Sequence, residues 1–164
     1  MTPIYKVWEA LTEKLPTALQ ESYDNCGLQV GDPSLPATGV LCCVDITEQV
    51  LQEALQKKCN VIIAHHPLLF KGLKRIGTES YIERCVRFAI RHDLAIYAAH
   101  TNADNADGGL NYLLAEDLGL SQVRSLEPQR GTLMELVTFV PTQYVSHVSE
   151  ALWSTGAGKI GAYD

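Results

Sequence analysis

Val61-Ile62-Ile63-Ala64-His65-His66 is the stretch on which the fold turns: four apolar residues, three of them β-branched, that stop abruptly at two imidazoles. The same kind of run recurs on either side, as Val40-Leu41-Cys42-Cys43-Val44 before Asp45 and as Leu94-Ala95-Ile96-Tyr97-Ala98 before His100. Two segments of helical period lie between these runs. Thr47 to Lys58 places Val50, Leu51, Ala54 and Leu55 on one face, and Thr78 to His92 does the same with Tyr81, Ile82, Cys85, Val86, Ala89 and Ile90. Parallel neighbours need a crossover connection, and strands without a polar side need cover on both faces; alternating helices supply both. The pattern therefore predicts an α/β fold, a three-layer parallel-sheet domain with strands at 40–44, 61–64 and 94–98.

Outward from this centre, Thr2 is placed to cap a first helix with Pro3 at its first position. Ile4, Val7, Trp8, Leu11 and Leu15 then repeat at helical spacing as far as Pro16. Glu21 to Pro36 is rich in Asp, Asn, Gly and Pro, and is expected to be a structured loop with an apolar patch at Leu28–Val30. Beyond the last strand, Leu110 to Leu118 is predicted as a helix closed by Gly119. A polar link from Ser121 to Gly131 follows, then a strand expected over Leu133 to Val140 and a helix from about Thr142 to Trp153. The expected division is an α/β domain at 1–128 and the beginning of a second domain at 129–164.

Composition narrows the functional classes. The chain has 164 residues, 46% of them hydrophobic, which suffices for a buried core. No stretch approaches the roughly 20 apolar residues of a membrane helix, and the N-terminus lacks the apolar core of a secretory signal. A cytoplasmic protein without membrane attachment is expected. Thirteen Lys and Arg against nineteen Asp and Glu give a formal charge of −6, which argues against general nucleic-acid binding. Cys26, Cys42, Cys43, Cys59 and Cys85 form no CxxC pair and are expected to be reduced and buried, packed as small hydrophobes.

Ligands of open α/β sheets gather beyond the carboxyl ends of the strands. Each predicted strand ends in polar groups: Asp45 after the first, His65 and His66 after the second, His100 and then Asp104 after the third. Neutral imidazole and carboxylate are ordinary ligands of zinc, iron(II) and manganese, and adjacent strand-end histidines can serve two ions. His65, His66 and Asp104 are therefore the candidate ligands. His100 is read either as a group that orients a ligand or as a loop-closing hydrogen-bonding residue, and Asp45 as a helix cap or an orienting group. Lys74, in a basic loop with Lys71 and Arg75, is a candidate contact for an anionic substrate. His147 and Glu150 sit one helical turn apart, which an exposed helix face explains. Gly156, Gly158 and Gly161 spell GxGxxG without the preceding strand that a dinucleotide site requires.

Three motifs follow one another in order: Tyr23-Asp24-Asn25-Cys26-Gly27-Leu28-Gln29-Val30-Gly31, then Ala64-His65-His66-Pro67-Leu68-Leu69-Phe70 with Lys71-Gly72-Leu73-Lys74, then His100-Thr101-Asn102-Ala103-Asp104. Together they resemble the signatures of the Ngg-interacting-factor-three-like family, whose bacterial members carry the name GTP cyclohydrolase I type 2 homologue. The likeness spans about residues 1 to 120. It implies that His65, His66 and Asp104 ligate a dinuclear centre of two divalent ions. It also implies a ring-shaped homo-oligomer, a hexamer in form, and a GTP-like substrate. In the family a further His and Glu, spaced HxxxE, complete the site, and a ferredoxin-like α+β domain is inserted between the halves. Leu133 to Asp164 resembles the start of that insert, so the chain is expected to be the N-terminal part of a longer protein. The function so implied is a metal-dependent hydrolase acting on a nucleotide; the alternative is a metal-binding regulatory or protein-interaction scaffold without catalysis.

Overall fold

The computed structural model describes residues 2–126 and 135–158. The chain divides into two compact units, 1–123 and 124–164. In the first, α1 (Ile4–Lys14) leads into β1 (Gly27–Val30) and β2 (Val40–Cys43), followed by α2 (Glu48–Gln56), β3 (Val61–Ala64), α3 (Tyr81–Arg91) and β4 (Ala95–Ala98). Two further helices, α4 (Thr101–Asn105) and α5 (Leu110–Asp117), close the unit. The four strands make one sheet in the order β1-β4-β3-β2. β2 pairs with β3, and β3 with β4, in parallel, with Cys43 beside Ala64 and Ala64 beside Ala98.

The three expected strands thus form as a parallel set, but the sheet is mixed. β1 joins β4 antiparallel, with Gly27 opposite Ala98 and an irregularity between Leu28 and Val30. The sequence pattern predicts only an apolar patch within a loop at Leu28–Val30; four residues give too little alternation to stand out from the turn-forming residues around them. Gly31, at φ +110°, ends this strand where the chain presses on β4. A Cβ there would lie 2.6 Å from the Ala95 Cα and 2.7 Å from the Leu94 carbonyl oxygen.

Side chains along a strand alternate between faces, and buried residues accordingly fall into two clusters. Ile62, Ala64 and Ile96 pack with Leu51 and Ala54 of α2 and Cys85, Val86 and Ala89 of α3. Val61, Ala95 and Tyr97 pack with Ile4 and Trp8 of α1 and Ala103 of α4. Trp8 stacks on Tyr97 with centroids 4.6 Å apart, a contact that contributes about 0.5–1.5 kcal/mol beyond the area it buries. The residue that caps α1 is Pro3, not Thr2, and no side chain caps it. The orphan amides of Ile4 and Tyr5 donate instead to the Leu35 and Pro33 carbonyls at 2.8 Å, so the turn before β2 does the capping. α2 and α3 start later than expected, where the Thr47 and Ser80 hydroxyls accept from the Val50 and Glu83 amides.

The cysteines are unpaired, and only Cys85 is buried; Cys42 is exposed, while Cys26, Cys43 and Cys59 are half-buried. β2 lies at the end of the sheet, which leaves the Cys42 side of it open. Burial pushes the Cys43 and Cys85 thiols up to about 11.

In the second unit, a 3-10 turn at Thr142–Tyr144 runs into α6 (Val145–Ser154), close to the expected helix. The strand expected over 133–140 is not formed in its described part. Residues 135–140 are irregular, with Phe139 exposed, since an apolar run becomes a strand only with a pairing partner. Residues 133 and 134, and 159–161 of the glycine-rich segment, lie outside the described residues. Among the described residues, no helix is long and apolar enough to cross a membrane.

Replacing Gly31 with Ala is expected to destabilise the first unit by about 2–4 kcal/mol, combining a left-handed backbone cost with a clash against backbone that cannot move aside. Denaturant unfolding with an unchanged slope measures it; a loss below about 0.5 kcal/mol would show that β1 can lift from β4 without cost.

Candidate metal centre

The in-register parallel strands bring their carboxyl ends to one edge of the sheet. The ladder continues one step beyond them: the His65 and His66 amides donate to the Cys43 and Val44 carbonyls at 3.0 and 2.9 Å, and the Ala99 amide to the Ala64 carbonyl at 2.9 Å. His65, His66 and His100 are thereby gathered, one ligand atom from each lying within 4.8 Å of the others. The rings meet edge to face, with His100 centroids 5.2 Å from His65 and 5.5 Å from His66.

Each imidazole is oriented through the same nitrogen. His65 Nδ1 lies 3.0 Å from the Ala99 carbonyl oxygen, His66 Nδ1 2.8 Å from Asp45 Oδ1, and His100 Nδ1 2.9 Å from Asp24 Oδ1. A carbonyl or carboxylate oxygen only accepts, so each Nδ1 carries the proton and donates. In the neutral ring Nε2 is then the nitrogen with the lone pair, the form in which imidazole binds a metal. Three imidazoles with ligand atoms within 4.8 Å of one another are a donor set that suits a divalent ion such as zinc, iron or manganese.

Asp24 is a site residue to which the sequence pattern assigns no role. Its side chain is 0% exposed, and besides His100 it accepts from the Thr101 amide at 3.0 Å, the Thr101 hydroxyl and the Cys26 thiol. Burial pulls its carboxyl upward, but hydrogen bonds from Cys26, Thr101, His100 and the Asn25 amide outweigh that and hold it well below the usual carboxylate range. Asp24 and His100 are 76 residues apart, a separation no local spacing rule connects. Its one signal is its place in the Tyr23–Gly31 motif.

The remaining expected residues fall as follows. Asp45 orients His66; the cap of α2 is Thr47. His100 stands in the cluster itself, and its Nδ1 hydrogen bond to Asp24 also ties the loop before β1 to the end of β4. Asp104 is outside the three-histidine group, half-buried on α4, its backbone amide donating to the His100 carbonyl at 3.2 Å. No described residue hydrogen bonds or pairs with its carboxylate. Lys74 lines a groove of about 620 Å³ with Gln29, Leu69 and Arg75, and no described contact joins it to the histidines. His147 and Glu150 are exposed on α6.

With this geometry in view, residues 2–164 match the family described as Duf34/NIF3 (NGG1p interacting factor 3). The chain belongs to the NIF3 family. A Bacillus subtilis relative named GTP cyclohydrolase 1 type 2 homolog is 44% identical over 149 residues, 90% of this chain and 40% of that protein. A Staphylococcus epidermidis relative of the same name is 35% identical over 161 residues, 98% of this chain and 44% of its own length. The crystal structure of a Bacillus cereus protein related to NIF3 superposes with a TM-score of 0.74 at 39% identity, over 99% of this chain and 45% of that one. Reduced HcgD from Methanocaldococcus jannaschii gives 0.70 at 28% identity, over 77% and 50%. The chain thus spans less than half the length of the curated NIF3-family relatives cited.

Asp24→Asn is expected to weaken the fold on the acid side in a defined way. The folded carboxyl titrates below its unfolded value, so the unfolded chain takes up the proton first as pH falls. The stability Asp24 contributes is therefore complete above about pH 5 and is lost progressively below it. Unfolding midpoints taken from pH 7 to pH 3 should fall more steeply for the parent than for the Asn variant, and parallel curves would remove Asp24 from this account.

Proposed function

We propose that this chain supplies part of a divalent-metal-dependent hydrolase acting on a nucleotide-like substrate, within a three-layer α/β domain. The observation that carries it is the triple arrangement at the strand ends: three imidazoles, each with Nδ1 hydrogen bonded to an oxygen acceptor and each offering a ring nitrogen within 4.8 Å of the other two. A satisfied structural histidine needs one partner and no neighbours; three converging ones have a shared purpose. The names of the curated relatives support a nucleotide-like substrate, and a homo-oligomer, hexameric in form, belongs to the same reading.

His65, His66 and His100 would hold the metal, with Asp104 as the acidic member on the adjoining helix. Adjacent histidines on one strand end, with a free carboxylate nearby, suit a centre of two ions better than a closed structural site. A divalent ion there supplies Lewis acidity and lowers the pKa of a water molecule it binds. Asp45 and Asp24, accepting from Nδ1, fix the tautomers and ring orientations of His66 and His100. The half-exposed position of His66, at 49%, leaves an approach for a substrate from solvent.

The test is metal uptake followed by turnover. The chelator-stripped chain, titrated with zinc, manganese or iron(II), should bind ions that His65→Ala, His66→Ala and His100→Ala each largely lose, with circular dichroism unchanged. Asp45→Ala, at an exposed residue, should lower affinity about 10- to 100-fold without unfolding. Uptake that is absent, or indifferent to these changes, defeats the metal reading. Metal-loaded full-length protein that turns over no member of a panel of nucleotides and phosphoesters defeats the hydrolase reading and leaves a metal-bound scaffold.

A further inference from the structure

Two neighbouring aromatic rings, one of them against His100, lie outside the core. Tyr23 is 65% exposed and Phe70 46% exposed, and neither packs into either buried cluster. Their centroids are 6.5 Å apart, and Phe70 stands edge-on to His100 at 6.4 Å and 86°. They are held on rigid backbone. Tyr23 precedes the fully buried Asp24 side chain, and Phe70 follows buried Leu68 by two residues. The two loops are pinned together by Asn25 Nδ2 donating to the Leu69 carbonyl at 2.6 Å, the Leu69 amide to Gln29 Oε1 at 3.1 Å, and Gln29 Nε2 to the Asn25 carbonyl at 2.8 Å.

We infer that Tyr23 and Phe70 form a stacking platform that receives the planar heteroaromatic ring of the substrate and sets it against the histidine cluster. Leaving two large aromatic side chains in water on loops this firmly fixed has no packing benefit. The Phe70 ring already lies 6.4 Å from His100 and 6.5 Å from Tyr23, so a ring stacked on the pair is presented beside the histidines. An aromatic face binds any heteroaromatic base through its π-surface, orienting it without reading its edges. The inference rests on the histidines being the metal centre, because that fixes where the ring must be presented. It differs from that reading in naming residues that touch no metal.

Equilibrium dialysis of the purified chain against guanosine 5′-monophosphate, with ribose 5-phosphate as the non-aromatic control, tests it. Zinc uptake and light scattering are measured on the same samples. Phe70→Ala and Tyr23→Ala should each weaken guanosine 5′-monophosphate binding roughly 5- to 150-fold, the loss of one stacking contact. Phe70→Leu, which keeps apolar bulk without a π-face, should lose nearly as much, and Phe70→Tyr should stay within about twofold of the parent. Zinc uptake should not change in any of them. Equal binding of the two probes, or unchanged binding in the Ala variants, overturns the platform while leaving the metal centre standing. A smaller particle mass for Phe70→Ala than for the parent also overturns it, marking the rings as a contact between copies of the chain. Ring-dependent binding in a chain that takes up no zinc removes the metal centre and overturns the inference as stated, leaving only an aromatic site with nothing to present its ring to.

Discussion

Cys43, Ala64 and Ala98 lie side by side in parallel register, and everything at the site depends on that alignment. A slip of one residue along a strand turns each side chain to the opposite face. With β3 shifted by one, Ile62 and Val61 would exchange clusters, and His65 would exchange places with His66. The apolar alternation of β3 between its two clusters therefore fixes the imidazoles as firmly as any bond at the site does. The core specifies the register, and the register places the polar residues that follow each strand.

Register alone brings the rings together without aiming them. Aim comes from three acceptors of different origin: the Ala99 carbonyl from the backbone of β4's extension, Asp45 from the end of β2, and Asp24 from the loop before β1. The Ala99 contact follows directly from strand pairing. Asp45 is exposed, at 66%, and its hydrogen bond with His66 is open to solvent, so it stabilises the fold little and matters chiefly for tautomer. Asp24 differs from both. It is buried, it also anchors the start of α4 through Thr101, and it ties the helix that carries Asp104 to the ring of His100.

Much of this is legible in the residues. The runs at 40–44, 61–64 and 94–98 combine β-branched content with helical spacers of the right length, and the parallel core follows from crossover geometry. The strand-end histidines are visible because the polar residue after an apolar run is positioned by the sheet. Gly27–Val30 escapes notice because its strand character lies in pairing with β4 across some seventy residues. α4 is hidden because five residues hold no period. Asp24 is unreadable as a site residue for the same reason as β1: its function is long-range, and an Asp among Asn and Gly is an ordinary loop composition. The described part of the expected strand, 135–140, errs in the other direction, since apolar alternation is a property of the chain and a strand is a property of a pair.

β2 closes one side of the sheet, and among the described residues no strand lies beyond it. Its outer face presents Val40 and Val44, 43% and 58% exposed, with Cys42 between them. An edge of this kind offers unpaired amides and carbonyls beside apolar side chains, with no proline, bulge or lysine within Val40–Val44 to blunt it. The same short run that supplies a parallel neighbour for β3 is thus adhesive on its other side. Kept in concentrated solution by itself, the polypeptide would tend toward edge-to-edge association and, in air, toward cross-linking through Cys42, so that colloidal behaviour and chemistry at the site are set by opposite sides of one strand.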